Sequence, residues 1–134
     1  ELFYDVCVLL SGRVYRVKKM GSEYMDSGAS NDLSQASLQV YAAITNLGMD
    51  KELGYINLNM INTLDNYFME QKIEKRFLHW MHAAKQDTEK LVDEHWEKIE
   101  TLALKLIEQE IVESAELLKI IGNIKVSHTI PETL

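Results

Sequence analysis

Cysteine occurs once in the 134 residues, at Cys7, and proline once, at Pro131. A lone cysteine excludes an internal disulfide framework and fits a reducing compartment. One proline and six glycines leave few breakers, which favours long helices. No apolar run approaches the roughly 18 residues of a membrane span, and the start lacks the profile of a signal peptide. Clustered basic charge is also scarce. The net charge of −7 argues against nucleic acid as the main partner, because phosphate neutralisation needs grouped Lys and Arg. The sign is uneven, however: Arg13, Arg16, Lys18 and Lys19 face only Glu1 and Asp5 in the first twenty residues, and the remainder is strongly negative. What is present is ordinary for a globular domain, with 46% hydrophobic and 26% charged residues. The length is one domain's worth, able to bury roughly two-thirds of its unfolded surface. The chain opens at Glu1 without Met, inside an apolar helical pattern, and is expected to be a piece of something longer.

Leu2, Val6, Leu9, Leu10, Val14 and Val17 recur at helical spacing, with Phe3 and Cys7 widening the face. Gly12 inside that stripe either lets another backbone approach or weakens the helix by about 1 kcal/mol relative to Ala. A second stripe, Leu33, Ala36, Val40, Ala43, Ile44 and Leu47, predicts a helix from about Asn31 to Leu47, ended by Gly48. Leu53, Tyr55, Ile56 and Leu58 read as a short strand or a packed loop, with no partner strand in sight. From about Thr63 to Gln109 the helical period hardly stops. One straight helix of that length would run about 70 Å, too long for a compact domain of this size. Asp93-Glu94-His95 is the most polar gap, so a tight turn is expected there, with two antiparallel helices packing across it. Ser114 is placed to cap a final helix, Ala115 to Ile121, stopped by Gly122. A flexible tail is expected over residues 123–134.

Between the first two stripes lies Ser27-Gly28-Ala29-Ser30-Asn31-Asp32-Leu33, a small-residue turn running into a helix. Gly28 permits a tight bend, and Ser30, Asn31 and Asp32 can accept bonds from the free N–H groups of a first turn. The carboxylate of Asp32 is thereby fixed at an electropositive helix start. That position suits a helix cap or a cation ligand, and the local sequence leaves both open.

Four histidines raise a metal hypothesis. His79 and His82 lie three apart on one helix, but a zinc site needs three or four ligands and no third stands at convincing spacing. The pattern His-Glu-x-x-His is absent, since Glu would have to stand where Trp80 does. His95 reads as a turn residue and His128 lies in the tail. Cys7 on an apolar face reads as a small inert hydrophobe. Gly21, Gly28, Gly48 and Gly54 are scattered and form no phosphate-binding loop. The Glu and Lys runs of residues 70–110 read as a solvated face with i,i+4 pairs. The stripe they flank is wider than a coiled-coil seam, which favours a globular core.

The order Leu9-Leu10-Ser11-Gly12-Arg13, then Ser27 to Leu33 with Gln35-Ala36, then Leu47-Gly48-Met49 and Glu52-Leu53-Gly54, resembles the peptidase domain of FtsH-type ATP-dependent zinc metalloproteases. The likeness spans about residues 2–122 and continues through Leu102-Ala103 to Leu117-Leu118. It implies a mostly helical peptidase domain following an ATPase module and a membrane anchor, in a homo- or hetero-hexameric ring that degrades membrane and soluble proteins. It also implies zinc, held by two histidines of a His-Glu-x-x-His helix and by an aspartate that falls on Asp32, with ATP used by the separate module. The zinc helix is expected upstream of Glu1, so this piece holds Asp32 as its metal ligand and no catalytic or cofactor-binding residue of its own. One departure stands out: Arg16 and Val17 occupy the positions where the family follows its Gly-Gly-Arg with two glutamates.

The expectation is therefore an all-α, irregular helical fold, with residues 1–122 as the peptidase domain and a long antiparallel helix pair in its C-terminal half. The piece would supply the carboxylate zinc ligand and ring-forming helices to an ATP-dependent metalloendopeptidase, on the soluble face of a membrane-anchored parent in a bacterial cytoplasm or an organelle matrix or stroma. It would contain no membrane segment and bind no nucleic acid. The alternatives are an inactive scaffold or chaperone subunit of the same family, and an unrelated helical interaction domain.

Overall fold

The computed structural model describes residues 1–24, 27–58, 67–122 and 130–134, without the side chains of Tyr24, Tyr67 and Phe68. Among the described residues there are five α-helices and no strand: α1 (Leu2–Met20), α2 (Ser30–Thr45), α3 (Tyr67–Glu94), α4 (Trp96–Gln109) and α5 (Ser114–Ile121). The all-α expectation holds. The predicted helix start near Thr63 lies outside the described residues. The chain forms two compact units, one of residues 1–89 with 130–134 and one of residues 90–129.

In the first unit α1 packs on α2. The spacing dictates the contact. Phe3, Val6, Cys7 and Leu10 line one face of α1, and Ala36, Val40, Ala43 and Ile44 line one face of α2; all are buried. Each large apolar side chain removed from water there contributes about 1.5–3 kcal/mol. Ala84 on α3 brings that helix close, so that the Cys7 thiol donates to the Ala84 carbonyl at 3.7 Å and the Thr88 hydroxyl donates to the Cys7 carbonyl at 3.4 Å. Phe3 meets Trp80 edge to face at 6.4 Å between centroids.

Gly12 resolves in favour of the weaker helix: a Cβ there would meet nothing within 4 Å. Helix α2 stops at Thr45, two residues before the predicted end, and Leu47 is exposed. The chain folds back over the last turn through Leu47 N–H to Ala42 O and Met49 N–H to Ala43 O, with Gly48 at φ +62°. Residues 49–58 then form a packed loop rather than a strand, burying Leu53 and Leu58. The backbones of Gly48 and Gly54 touch. A Cβ on Gly48 would lie 2.6 Å from the Gly54 carbonyl oxygen, and one on Gly54 would lie 2.8 Å from that of Gly48. Both glycines therefore exist for closeness.

In the second unit the helical run breaks at His95, the polar gap that predicted the turn. The break is one residue wide, for His95 N–H still bonds Leu91 O and Ile99 N–H bonds His95 O. Helices α4 and α5 pack together, joined by the Lys105–Glu116 ion pair at 3.2 Å. Lys98 donates to Ile121 O at 2.8 Å, satisfying a free carbonyl at the end of α5. Ser114 is the first residue of α5 and Glu113 its cap, so the expected serine cap is not used. Of the predicted tail, residues 123–129 lie outside the described residues. In residues 130–134, Leu134 is buried and its carbonyl accepts the Lys51 N–H.

Candidate functional site

A single 3-10 turn, Ser27–Ala29, delivers the chain to α2. Ala29 holds the cap position, and Ser30, Asn31 and Asp32 become the first three residues of the helix. The sequence offered three polar caps, but the helix starts before all of them. Asp32 is exposed on the first turn, where free N–H groups and the helix dipole favour a negative charge. The Ser34 hydroxyl turns back to Ser30 O at 2.9 Å.

The histidines do not converge. His79 Nε2 meets the Thr133 hydroxyl at 3.0 Å, His82 is exposed, His95 is half-buried at the α3–α4 break, and His128 lies outside the described residues. Among the described residues no three His, Cys, Asp or Glu side chains come together as a metal site. Burial pushes the Cys7 thiol up; the Thr88 hydroxyl pulls the other way and the charge of Asp87 adds to the rise. A thiol so placed is a poor nucleophile.

Asp50 is the charged group that sequence reasoning missed. It is 3% exposed and accepts four hydrogen bonds. Its Oδ1 takes the backbone N–H groups of Glu52 at 3.0 Å and Leu53 at 2.9 Å, while Oδ2 takes Arg76 Nε and Trp80 Nε1, each at 2.8 Å. Burial raises the carboxyl's pKa, but the bonds from Trp80, Arg76 and the two backbone groups outweigh it and hold Asp50 below the usual carboxylate range. Arg76 also reaches Glu52 Oε1 at 3.2 Å and the Thr133 carbonyl at 2.8 Å. A signal existed in the sequence: Arg76 and Trp80 stand four apart on one helix face, and Asp50 precedes two N–H groups it can cap locally. The node is a structural clamp. It fixes the loop between Gly48 and Gly54, the segment that follows the helix carrying Asp32.

The family model of peptidase family M41 matches residues 1–120. The mouse mitochondrial inner membrane m-AAA protease component AFG3L1 is 26% identical over 129 residues, covering 91% of this chain and 16% of its own length. The ATP-dependent zinc metalloprotease FTSH 3, mitochondrial, of Arabidopsis thaliana is 28% identical over 130 residues, with 91% and 16% covered. The ATP-dependent zinc metalloprotease FtsH 2 of Methylacidiphilum infernorum is 26% identical over 140 residues, with 96% and 22% covered. The chain thus spans about a fifth or less of the length of these relatives. Among the described residues no helix is long and apolar enough to cross a membrane.

Proposed function

The chain belongs to peptidase family M41, and we propose that it forms part of an ATP-dependent zinc metalloendopeptidase, with Asp32 supplying the carboxylate ligand. The observation that carries this is the exposed Asp32 carboxylate in the first turn of α2, within the Gly28 to Leu33 stretch that resembles the family's zinc-site motif. The described residues alone do not make a zinc set. The two histidines and the general-base glutamate belong to a His-Glu-x-x-His helix, a pattern absent from these 134 residues. Zinc bound by such a set polarises a scissile carbonyl and activates water. The part of this chain is to aim one carboxylate, on a rigid helix, at the face where that helix docks. Protein substrates, a hexameric ring built partly from these helices, ATP hydrolysis in a separate module and a membrane-anchored parent are parts of the same proposal.

In the full-length protein, Asp32→Ala abolishes casein degradation while ATP hydrolysis continues. Undiminished proteolysis would refute the ligand role. A second reading within the family has its own support: Arg16 and Val17 stand where two glutamates are expected beside the zinc helix, and lost carboxylates there weaken the support of a metal site. On that reading the protein is an inactive scaffold or chaperone subunit. The codons preceding Glu1 separate the two, an intact His-Glu-x-x-His favouring the peptidase and a degenerate one the scaffold. An unrelated helical interaction domain is excluded by the family match.

A further inference from the structure

Arg76 is 6% exposed, and its guanidinium divides among three acceptors. Asp50 and Glu52 lie in one loop, but the third acceptor, the Thr133 carbonyl at 2.8 Å, arrives from 57 residues further along the chain. The contacts around it repeat one chemistry. Lys51 gives its backbone N–H to Leu134 O at 2.9 Å and its ammonium to Glu132 O at 3.2 Å. Three consecutive carbonyls, at 132, 133 and 134, are thereby met by three donors from Lys51 and Arg76. Donors aimed at main-chain carbonyls hold any peptide of the right path; side-chain pockets supply the choice. Here the choice comes from Leu134, buried in the core, and from the Thr133 hydroxyl against His79 at 3.0 Å. The Leu134 N–H closes a turn onto Pro131 O at 3.1 Å, with Pro131 at its first position and Glu132 and Thr133 at its centre.

We infer that Lys51, Arg76 and His79 form a recognition site for a short peptide turn of Pro-Glu-Thr-Leu chemistry, which residues Ile130–Leu134 occupy in cis and from which a segment of the same chemistry displaces them. Exchange is favoured over vacancy. When the turn leaves, a buried Arg76 N–H loses its acceptor and an apolar slot opens to water, and a matching peptide repairs both. Glu132 and Thr133 are exposed, so one buried leucine is the main anchor. The tether gives the cis segment an effective concentration in the millimolar range, which protects the occupied site from weak competitors.

The test follows the Lys51 amide, the Arg76 Nε–H and the Trp80 indole N–H by NMR in the full chain, with the peptide acetyl-Ile-Pro-Glu-Thr-Leu-amide as probe. Leu134→Asp shifts the Lys51 and Arg76 signals, and added peptide returns them toward their original positions with saturation. A control peptide with Asp in place of its leucine binds at least about tenfold more weakly. Should Leu134→Asp fail to fold, Leu134→Ala is used in the same titration. Unmoved Lys51 and Arg76 signals in the folded Leu134 variant overturn the inference. So do signals that the peptide does not return, or that both peptides return equally.

Discussion

Asp50 and Arg76 are the two buried charged side chains among the described residues, and they face each other. Removing the Asp50 charge leaves a buried Arg76 with only the exposed Glu52 and a carbonyl to face. Breaking a buried pair from one side costs about 3–5 kcal/mol, a large part of a small domain's stability. Asp50→Asn keeps an acceptor for the Glu52 and Leu53 N–H groups but turns an NH2 donor toward Arg76 Nε and Trp80 Nε1. It thus removes the charge and two hydrogen bonds together, and its urea midpoint falls by at least the equivalent of that cost. The pH dependence has a definite sign. Because the native carboxyl titrates below its usual value, the unfolded chain binds the proton first and stability rises with pH. The contribution is complete above the usual Asp range of about 4 and disappears as pH falls through that range toward the depressed native value. Urea midpoints taken from about pH 6 to about pH 3 decline more steeply for the wild type than for Asp50→Asn. Parallel declines would show that another carboxylate governs the acid limb.

Glycine acts with opposite signs on different elements. Gly12 sits in the middle of α1 with open space around its missing Cβ, so Gly12→Ala raises stability by up to about 1 kcal/mol, read as a higher midpoint of thermal unfolding. In the loop after α2 the Gly54 Cα faces the carbonyls of Asp50 and Gly48, and Gly54→Ala forces two backbones apart. Such overpacking costs about 1–3 kcal/mol, and the same thermal scan shows the loss. The helices themselves were legible in the sequence, since Phe3, Val6, Leu10, Ala36, Val40, Ala43 and Ile44 keep the 3.6-residue period that burial rewards. The His95 break was legible as a polar gap. The stop of α5 at Gly122 was legible too, but the caps at the helix starts were not. Which of several adjacent polar residues caps a helix depends on where the preceding turn ends, and the Ser27–Ala29 turn starts α2 early.

For the whole molecule, the nomination of Asp32 as a site residue rests on a family motif, not on spacing or periodicity. The Asp50 clamp went unseen because its parts, Asp50, Arg76, Trp80 and Thr133, meet only after three separate segments have folded together. The same dispersal limits what the 134 residues do with metal. One exposed carboxylate at a helix start is a poor zinc ligand set, so calorimetric titration of this chain gives binding weaker than micromolar. A stoichiometric micromolar site would contradict the assignment of the other ligands to a separate helix. The return of residues 130–134 to the first unit also bears on how the protein is made. A ribosome emits α1, α2 and most of α3 long before Thr133 and Leu134, so throughout that interval the nascent first unit holds an Arg76 short of an acceptor and an unfilled leucine slot. Its native state is reachable only once translation has passed residue 134, which makes the emerging intermediate a natural client for chaperones that bind stretches of exposed apolar chain.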